Sequence, residues 1–426
     1  MCEYIIKGGK SFQDSGITVS YKCDFFEKEV AGKKCFAVLW GNISNYNRLR
    51  QSMQVKGVTF ETEKCAEIVL STYLAFGKSV FKSFNGEFAG VIWDGYEKEL
   101  ILFRDKVGFK RLFYYFDGQR IAFSSNIKEI FEFPFVKKEP SYDIYCKLFT
   151  WSGSIINSET FFNNIYEIQP SGYLSYKSGK LKAKSYYVFD FASSTDSFCQ
   201  TVNGFDYFLK DTNFRFGDEK LISKSTLYER ICKYIYQNCM PSPYLTLTDL
   251  SNSDSKEKIC SDINLFTIPK RFKLPIKACE EGDRELINDF LSEIPLFEYR
   301  DEKDISRKEE LYIKTSVVLP SVIAAKRSVS PNIAFPYLEE KCLAYSIKSE
   351  RYRERLLKSY FYHQKYKPLK NNVKGLKSLF YEMIKNESFM FGMISKEEIL
   401  KFTRLFPRPE TMLYLIQVDV WLNTFM

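Results

Sequence analysis

An apolar segment between two turn signals occupies residues 84–95 and reads Phe84-Asn85-Gly86-Glu87-Phe88-Ala89-Gly90-Val91-Ile92-Trp93-Asp94-Gly95. Asn-Gly and Asp-Gly dipeptides favour tight hairpin turns. A third signal, at residues 117–118, follows two more apolar runs at 100–103 and 112–116. Continuous apolar runs of this length are typical of strands covered on both faces. The pattern therefore predicts a β-meander inside a layered fold.

Helical periodicity appears on both sides of a polar middle segment. Residues 67–76 have helical spacing and stop at Gly77, a residue that commonly ends helices. Residues 191–279 are rich in Ser and Lys and show no assignable pattern. Periodicity returns after residue 280, which predicts that the last third is mostly helical.

Composition narrows the class of protein. The 426 residues are 45% apolar, enough for several packed cores. A net charge of +9 from 62 basic and 53 acidic residues is mild, so nucleic-acid binding is not expected. The chain has no signal-peptide core and no apolar run long enough to cross a membrane, so we expect a cytoplasmic protein.

Catalytic options are limited by a single histidine, His363. Ser-His-Asp and Cys-His catalysis are excluded unless His363 itself is the base. The 11 cysteines contain no Cys-x-x-Cys pair, which favours reduced thiols over a zinc site. Cys2 becomes the first residue if Met1 is removed, and its thiol can then use its own α-amino group as the base.

Four ordered segments, residues 84–94, 104–115, 122–129 and 165–174, resemble signature segments of the glutaminase domain of asparagine synthetases. The resemblance implies an N-terminal-nucleophile (Ntn) αββα domain, in which two sheets lie between helical layers. It implies that Cys2 would attack the glutamine side-chain amide and that Gly41 would border the oxyanion hole. Asn42, Asn85, Gly86 and Glu87 would contact the substrate.

Three departures from the family pattern concern this glutaminase site. Residues 39–46 stand where the family has Asn-Gly-Glu-Ile-Tyr-Asn, so Trp40 corresponds to the oxyanion-hole asparagine. Cys65 stands where an aspartate would hold the glutamine amino group. The first arginine is Arg48, so the upstream arginine that clamps the glutamine carboxylate has no equivalent; Lys22, Lys33 or Lys34 could supply only a charge.

The second half resembles an altered and shortened synthetase domain. Residues 250–255 keep only the Asp254-Ser255 end of the family's glycine-rich pyrophosphate loop, and Glu281 lies in an altered version of a later nucleotide-site segment. Only residues 256–279 separate these segments, whereas one βαβ unit needs roughly 30 residues or more. ATP and Mg²⁺, which the family uses, are therefore not expected to bind, and no cofactor is predicted.

We accordingly predict an Ntn-type domain at 1–190, an eroded nucleotide-binding core at 191–279 and a helical part of a shortened α/β synthetase-like domain at 280–426. The leading hypothesis is a noncatalytic partner or regulator, which would engage another protein subunit or a peptide. A working but altered amidotransferase or acyl-transfer enzyme that uses Cys2 is the alternative. Residues 351–377, with nine basic residues against one acid, leave a polyanion-binding module as a third hypothesis.

Overall fold

The computed structural model describes residues 24–141, 158–187, 223–242, 373–392, 395–405 and 409–426, a short hairpin within 10–21, and scattered residues between 245 and 335. The chain divides into two compact units, residues 1–142 with 155–188 and residues 143–154 with 189–426. The predicted domain boundaries at residues 190 and 279 stay a prediction.

The first unit contains two antiparallel sheets and a separate hairpin. The hairpin is β1 (Lys10–Asp14) and β2 (Ile17–Tyr21). The larger sheet has the strand order β11-β10-β6-β5-β4-β3 and the smaller one β8-β7-β9. Their strands are β3 (Asp24–Val30), β4 (Lys33–Ile43), β5 (Gly86–Asp94), β6 (Glu99–Arg104), β7 (Phe113–Phe116), β8 (Ile121–Ser124), β9 (Ile165–Glu167), β10 (Gly172–Lys177) and β11 (Lys180–Ser185).

Both faces of the six-stranded sheet are covered by apolar side chains. One face packs on α1 (Tyr46–Val55), α2 (Cys65–Phe76) and a 3-10 helix (Gly77–Ser83), with Val69 and Phe81 in that core. The other face packs on the three-stranded sheet through a cluster that includes Val91 and Phe123, which we call the inter-sheet core. The short helix α3 (Ile127–Ile130) follows β8. The described residues thus show helix, sheet and sheet, three of the four predicted layers.

Two of the three predicted turns are confirmed and one is wrong. The Asp94 carboxylate accepts hydrogen bonds from two backbone N–H groups in the turn between β5 and β6, and Asp117 does the same between β7 and β8. Asn85-Gly86 is not a hairpin turn, because the 3-10 helix precedes it instead of a strand. The prediction of one continuous β-meander is also wrong, because β7 pairs with β8 and β9 in the second sheet.

The second unit is helical where the structure describes it at length. Its helices are α4 (Lys224–Asn238), α5 (Val373–Lys385), a 3-10 helix (Phe389–Gly392), α6 (Lys396–Leu405) and α7 (Pro409–Phe425), and a two-residue parallel pair joins β12 (Ile259–Cys260) to β13 (Ile333–Ala334). The predicted helical ending is confirmed, whereas a synthetase-like domain stays a prediction. No helix in the described part of the chain could span a membrane.

Candidate active site

The ends of β4 and β5 bring together five residues predicted to lie at the site. Asn42 lies opposite Glu87 across the strand pair, and Ile43 lies opposite Gly86. Gly41 has a φ of +98°, and a Cβ atom there would meet the Glu87 carbonyl oxygen at 2.0 Å. Gly86 has a φ of +135°, and its Cβ would meet the Asn42 carbonyl oxygen at 2.3 Å. Glycine is therefore required at both positions, because the two backbones approach too closely for a side chain.

Asn85 ties the end of β4 to the start of β5. Its backbone oxygen accepts a hydrogen bond from the Ser44 N–H at 2.8 Å, and its own N–H donates to the Asn45 side chain at 3.0 Å. Its side-chain oxygen accepts from the Lys106 ammonium at 2.7 Å. These contacts fix the Asn85 carboxamide at the corner where Gly41 and Asn42 are exposed.

Two lysines that were not among the predicted site residues border this corner. The Lys106 side chain is only 8% exposed, and its ammonium lies 4.2 Å from the centre of the Tyr187 ring. The Lys110 Cε atom lies 3.1 Å from the point that a Cβ on Gly41 would occupy. Both lysines belong to a loop held by the Asp105 carboxylate, which accepts four backbone hydrogen bonds of 2.7–3.1 Å.

Two positions that depart from the glutaminase pattern neighbour this corner, Trp40 directly before Gly41 in β4 and Cys65 beside Asn42. Trp40 is partly buried and packs against the inter-sheet core. Cys65 begins α2, and its sulfur lies 3.7 Å from the Asn42 side-chain oxygen. Burial raises the pKa of the Cys65 thiol above its ordinary value, so this group stays neutral at physiological pH.

The sequence that contains this corner matches a known domain family. Residues 29–187 match the glutamine amidotransferase domain family. Asparagine synthetase [glutamine-hydrolyzing] 3 of Bacillus subtilis is 30% identical over 164 residues, which are 38% of this chain and 26% of that protein. Residues 29–187 therefore match a glutamine amidotransferase domain, and the chain is partly similar to an asparagine synthetase. The exposed corner formed by Gly41, Asn42 and Asn85 lies within these residues.

Two further comparisons, with a curated protein and with a solved structure, each cover half of this chain or less. Amidase chry2 of Gibberella zeae is 30% identical to this chain over 139 residues, which are 32% of this chain and 20% of that protein. The matches therefore span about a quarter or less of these curated relatives. A solved glutamine phosphoribosylpyrophosphate amidotransferase from B. subtilis is 12% identical, covers 50% of this chain and 39% of that chain, and has a TM-score of 0.28, too low to support a statement about the fold.

A buried network of ion pairs stabilises the loop of the amidotransferase domain that carries Lys106 and Lys110. The Arg104 guanidinium, 1% exposed, donates to Glu167 at 2.8 Å and to the Gly108 carbonyl oxygen at 2.7 Å. Arg111 forms a second ion pair with Glu167. Burial alone would raise the pKa of Glu167, but the two arginines hold it below its ordinary value. The network fixes the loop that carries Lys106 and Lys110.

The remaining predicted residues fall outside the described residues or lie away from Gly41. Cys2, Lys22, Asp254, Ser255 and Glu281 lie outside the described residues, as do residues 351–372 of the basic segment. Lys33 and Lys34 begin β4, eight and seven residues before Gly41. At about 3.3 Å per residue they lie more than about 20 Å from Gly41 along the strand, too far to bind the same small substrate.

Proposed function

We propose that the amidotransferase domain does not hydrolyse glutamine at the rate typical of its relatives, and that the chain acts as a noncatalytic partner or regulator of another protein. The observation that carries this proposal is Trp40. Its indole stands where the family pattern has a carboxamide and packs against the inter-sheet core. Removing one oxyanion-hole donor from a tested enzyme lowered its rate by about 10²–10³.

The electrostatics at Cys65 support the same proposal. A glutamine substrate carries a positive amino group, which an aspartate at this position would stabilise. The Cys65 thiol is neutral because burial raises its pKa, so it offers no opposite charge. Substrate binding and transition-state stabilisation would both be weakened, in agreement with a noncatalytic domain.

A steady-state glutaminase assay tests the proposal. Glutamate release from glutamine is measured for the full chain, for Cys2→Ala and for Trp40→Asn. We expect the full chain to match Cys2→Ala at background. A rise of about 10²-fold in Trp40→Asn would identify the indole as the main defect. Glutamate release by the full chain that disappears in Cys2→Ala would overturn the proposal.

A second candidate is an altered amidotransferase or acyl-transfer enzyme in which Cys2 is the nucleophile. The Lys106 ammonium favours it, because a cation fixed beside Asn85 could bind the carboxylate of a substrate. One relative of this chain is named an amidase. In such a reaction the Cys2 thiolate adds to the amide carbon, the amine leaves with a proton, and water or an acceptor cleaves the thioester. Screening amide substrates for turnover that is lost in both Cys2→Ala and Lys106→Met would favour this candidate.

A further inference from the structure

A cavity of about 300 Å³ lies over the edge of the six-stranded sheet and is lined by Lys78, Lys177, Lys180, Lys182 and Lys184. We call it the lysine cavity. It shares no residue with the corner formed by Gly41, Asn42 and Asn85. Its residues are also distant in sequence from the basic segment at 351–377.

The alternation of side chains along β11 places three of the lysines on one face. Successive residues of a strand point to opposite faces, so Lys180, Lys182 and Lys184 point to the same side. They lie opposite Lys177, Ser175 and Tyr173 of β10, respectively. Since β11 is the edge strand of the sheet, these lysines form the outer wall of the cavity.

The positive charge of this wall is only partly balanced. Lys78 forms an ion pair with Glu99, and Lys177 forms one with Glu97 at 2.7 Å. Lys180, Lys182 and Lys184 make no ion pair with any residue that the structure describes. Lys177 and Lys180 face each other directly across the strands, and like charges in that arrangement repel. An anion in the cavity would relieve this repulsion.

The floor of the cavity is buried and polar. Glu99 is 7% exposed and Ser175 is 8% exposed, and the Ser175 hydroxyl donates to the Glu99 carboxylate. The Tyr173 ring lies 6.0 Å from the Lys78 ammonium. Burial, together with the Glu99 charge, raises the pKa of Tyr173, so its phenol remains a neutral hydrogen-bond donor. The cavity thus combines buried polar groups with the exposed ammonium groups of β11.

We propose that the lysine cavity binds a small anion that carries several phosphoryl groups. Three ammonium groups without an ion-pair partner in the described chain match a ligand with three or more negative charges, and lysine binds phosphate well as a point charge. The volume is at the lower end of the range for small-molecule sites, about 300–1,000 Å³, which favours a small ligand over a nucleic acid. Lysines on an edge strand also prevent strand pairing, but that role requires no cavity.

Calorimetric titration of the full chain with tripolyphosphate tests the proposal. We expect saturable binding at one site, and weaker binding of inorganic phosphate and of the tricarboxylate citrate. Lys182→Gln/Lys184→Gln should weaken tripolyphosphate binding about tenfold or more. Lys33→Gln/Lys82→Gln is the matched control, because it removes the same charge from two exposed lysines that do not line the cavity, and its affinity should stay within about twofold.

Four outcomes would overturn the proposal. Absence of saturable binding to the full chain would remove the site. Equal losses in the two double variants would mean that binding follows net charge alone. Citrate binding as tight as tripolyphosphate binding would remove the phosphoryl assignment, and tighter binding of a short oligonucleotide would make the surface a nucleic-acid site. Circular dichroism of both variants separates loss of binding from loss of folding.

Discussion

Gly41 illustrates how one residue fixes the geometry of the candidate active site. The resemblance to asparagine synthetases identified Gly41 as a residue that matches the family motif, and the structure shows why glycine is needed there. Its φ of +98° and its close approach to the Glu87 carbonyl oxygen leave no room for a side chain. The close approach of β4 to β5 therefore requires glycine at this position, whatever the chemistry of its neighbours.

Gly41→Ala should destabilise the amidotransferase domain by about 2–4 kcal/mol, since it adds a severe clash to an unfavourable φ. Gly57→Ala is the matched control, because Gly57 has a φ of +86° with nothing within 4 Å of its Cβ position. That variant should lose only about 1–2 kcal/mol. Urea unfolding of both variants makes the comparison, and equal losses would show that the contact with Glu87 is unimportant.

Neighbouring residues at this corner could not be predicted from the sequence. Asn85-Gly86 carries a hairpin signal, but its conformation is set by contacts with Ser44 and Asn45, some 40 residues earlier in the chain. Lys106 meets Asn85 across 21 positions. Such contacts depend on strand register and leave no local pattern. The replacements at Trp40 and Cys65, by contrast, were recognisable from the sequence, because the family motif gives the residue expected at each position.

At the level of elements, Glu167 on β9 joins the second sheet to Arg104 at the end of β6. Glu167→Gln should lower the free energy of unfolding by about 3–5 kcal/mol at neutral pH, because it removes the carboxylate that pairs directly with the buried Arg104. Glu139→Gln, which removes an exposed partner of Lys137, should change it by less than about 1 kcal/mol. Chemical denaturation of the two variants measures the difference.

The pH dependence of this loss has a definite sign. The folded-state pKa of Glu167 lies below its ordinary value of 4.5, so the charged form stabilises the fold above pH 4.5. That stability disappears as the pH falls through the lowered, folded-state pKa. The stability difference between the native chain and Glu167→Gln should therefore be constant at neutral pH and shrink below pH 4.5. A difference that grows on acidification would contradict the account.

Helix α4 shows where sequence reading of elements failed. Leu227, Ile231, Tyr234 and Ile235 are buried at helical spacing, and the Ser223 side chain accepts from the Thr226 N–H at the helix start. This signal was present in the sequence. It lies inside a long polar segment, whose average composition obscured fifteen residues of regular spacing.

At the level of the whole molecule, the chain consists of two compact units. In the second unit, the C-terminal helix α7 is buried, and its Gln417 side chain exchanges two hydrogen bonds with the Ser242 backbone, at 2.9 and 3.1 Å. The Trp421 indole N–H donates to the Cys239 carbonyl oxygen at 2.7 Å. These contacts join segments more than 170 positions apart, so α7 packs on residues 239–242 within the second unit.

Thermal unfolding should therefore show two transitions, one for each unit. Glu167→Gln should lower only the transition of the first unit. Gln417→Ala should lower only the other one, at a cost of about 2–4 kcal/mol for two buried hydrogen bonds and a cavity. Glu410→Gln changes an exposed side chain of the same helix and should alter the free energy of unfolding by less than about 1 kcal/mol. A single transition shifted equally by Glu167→Gln and Gln417→Ala would show that the units unfold together.

The arrangement of the sheets was only partly predictable. Apolar runs indicated the strands, but β10 and β11 join the larger sheet beside β6, about 70 positions earlier in the chain. The lysine cavity follows from that pairing. Alternating lysines in β11 alone would indicate only an exposed edge strand, whereas the register with β10 places Lys182 opposite Ser175 and beside the buried Glu99.

The most direct test of the central claim is labelling with 6-diazo-5-oxo-norleucine, an electrophile that mimics glutamine. The purified chain is checked for removal of Met1 by intact mass and then mapped for an adduct at Cys2, with Cys2→Ala as the control. The account predicts no adduct at Cys2 in the chain that lacks Met1. An adduct that is absent from Cys2→Ala would show a working glutamine pocket and would contradict the noncatalytic assignment.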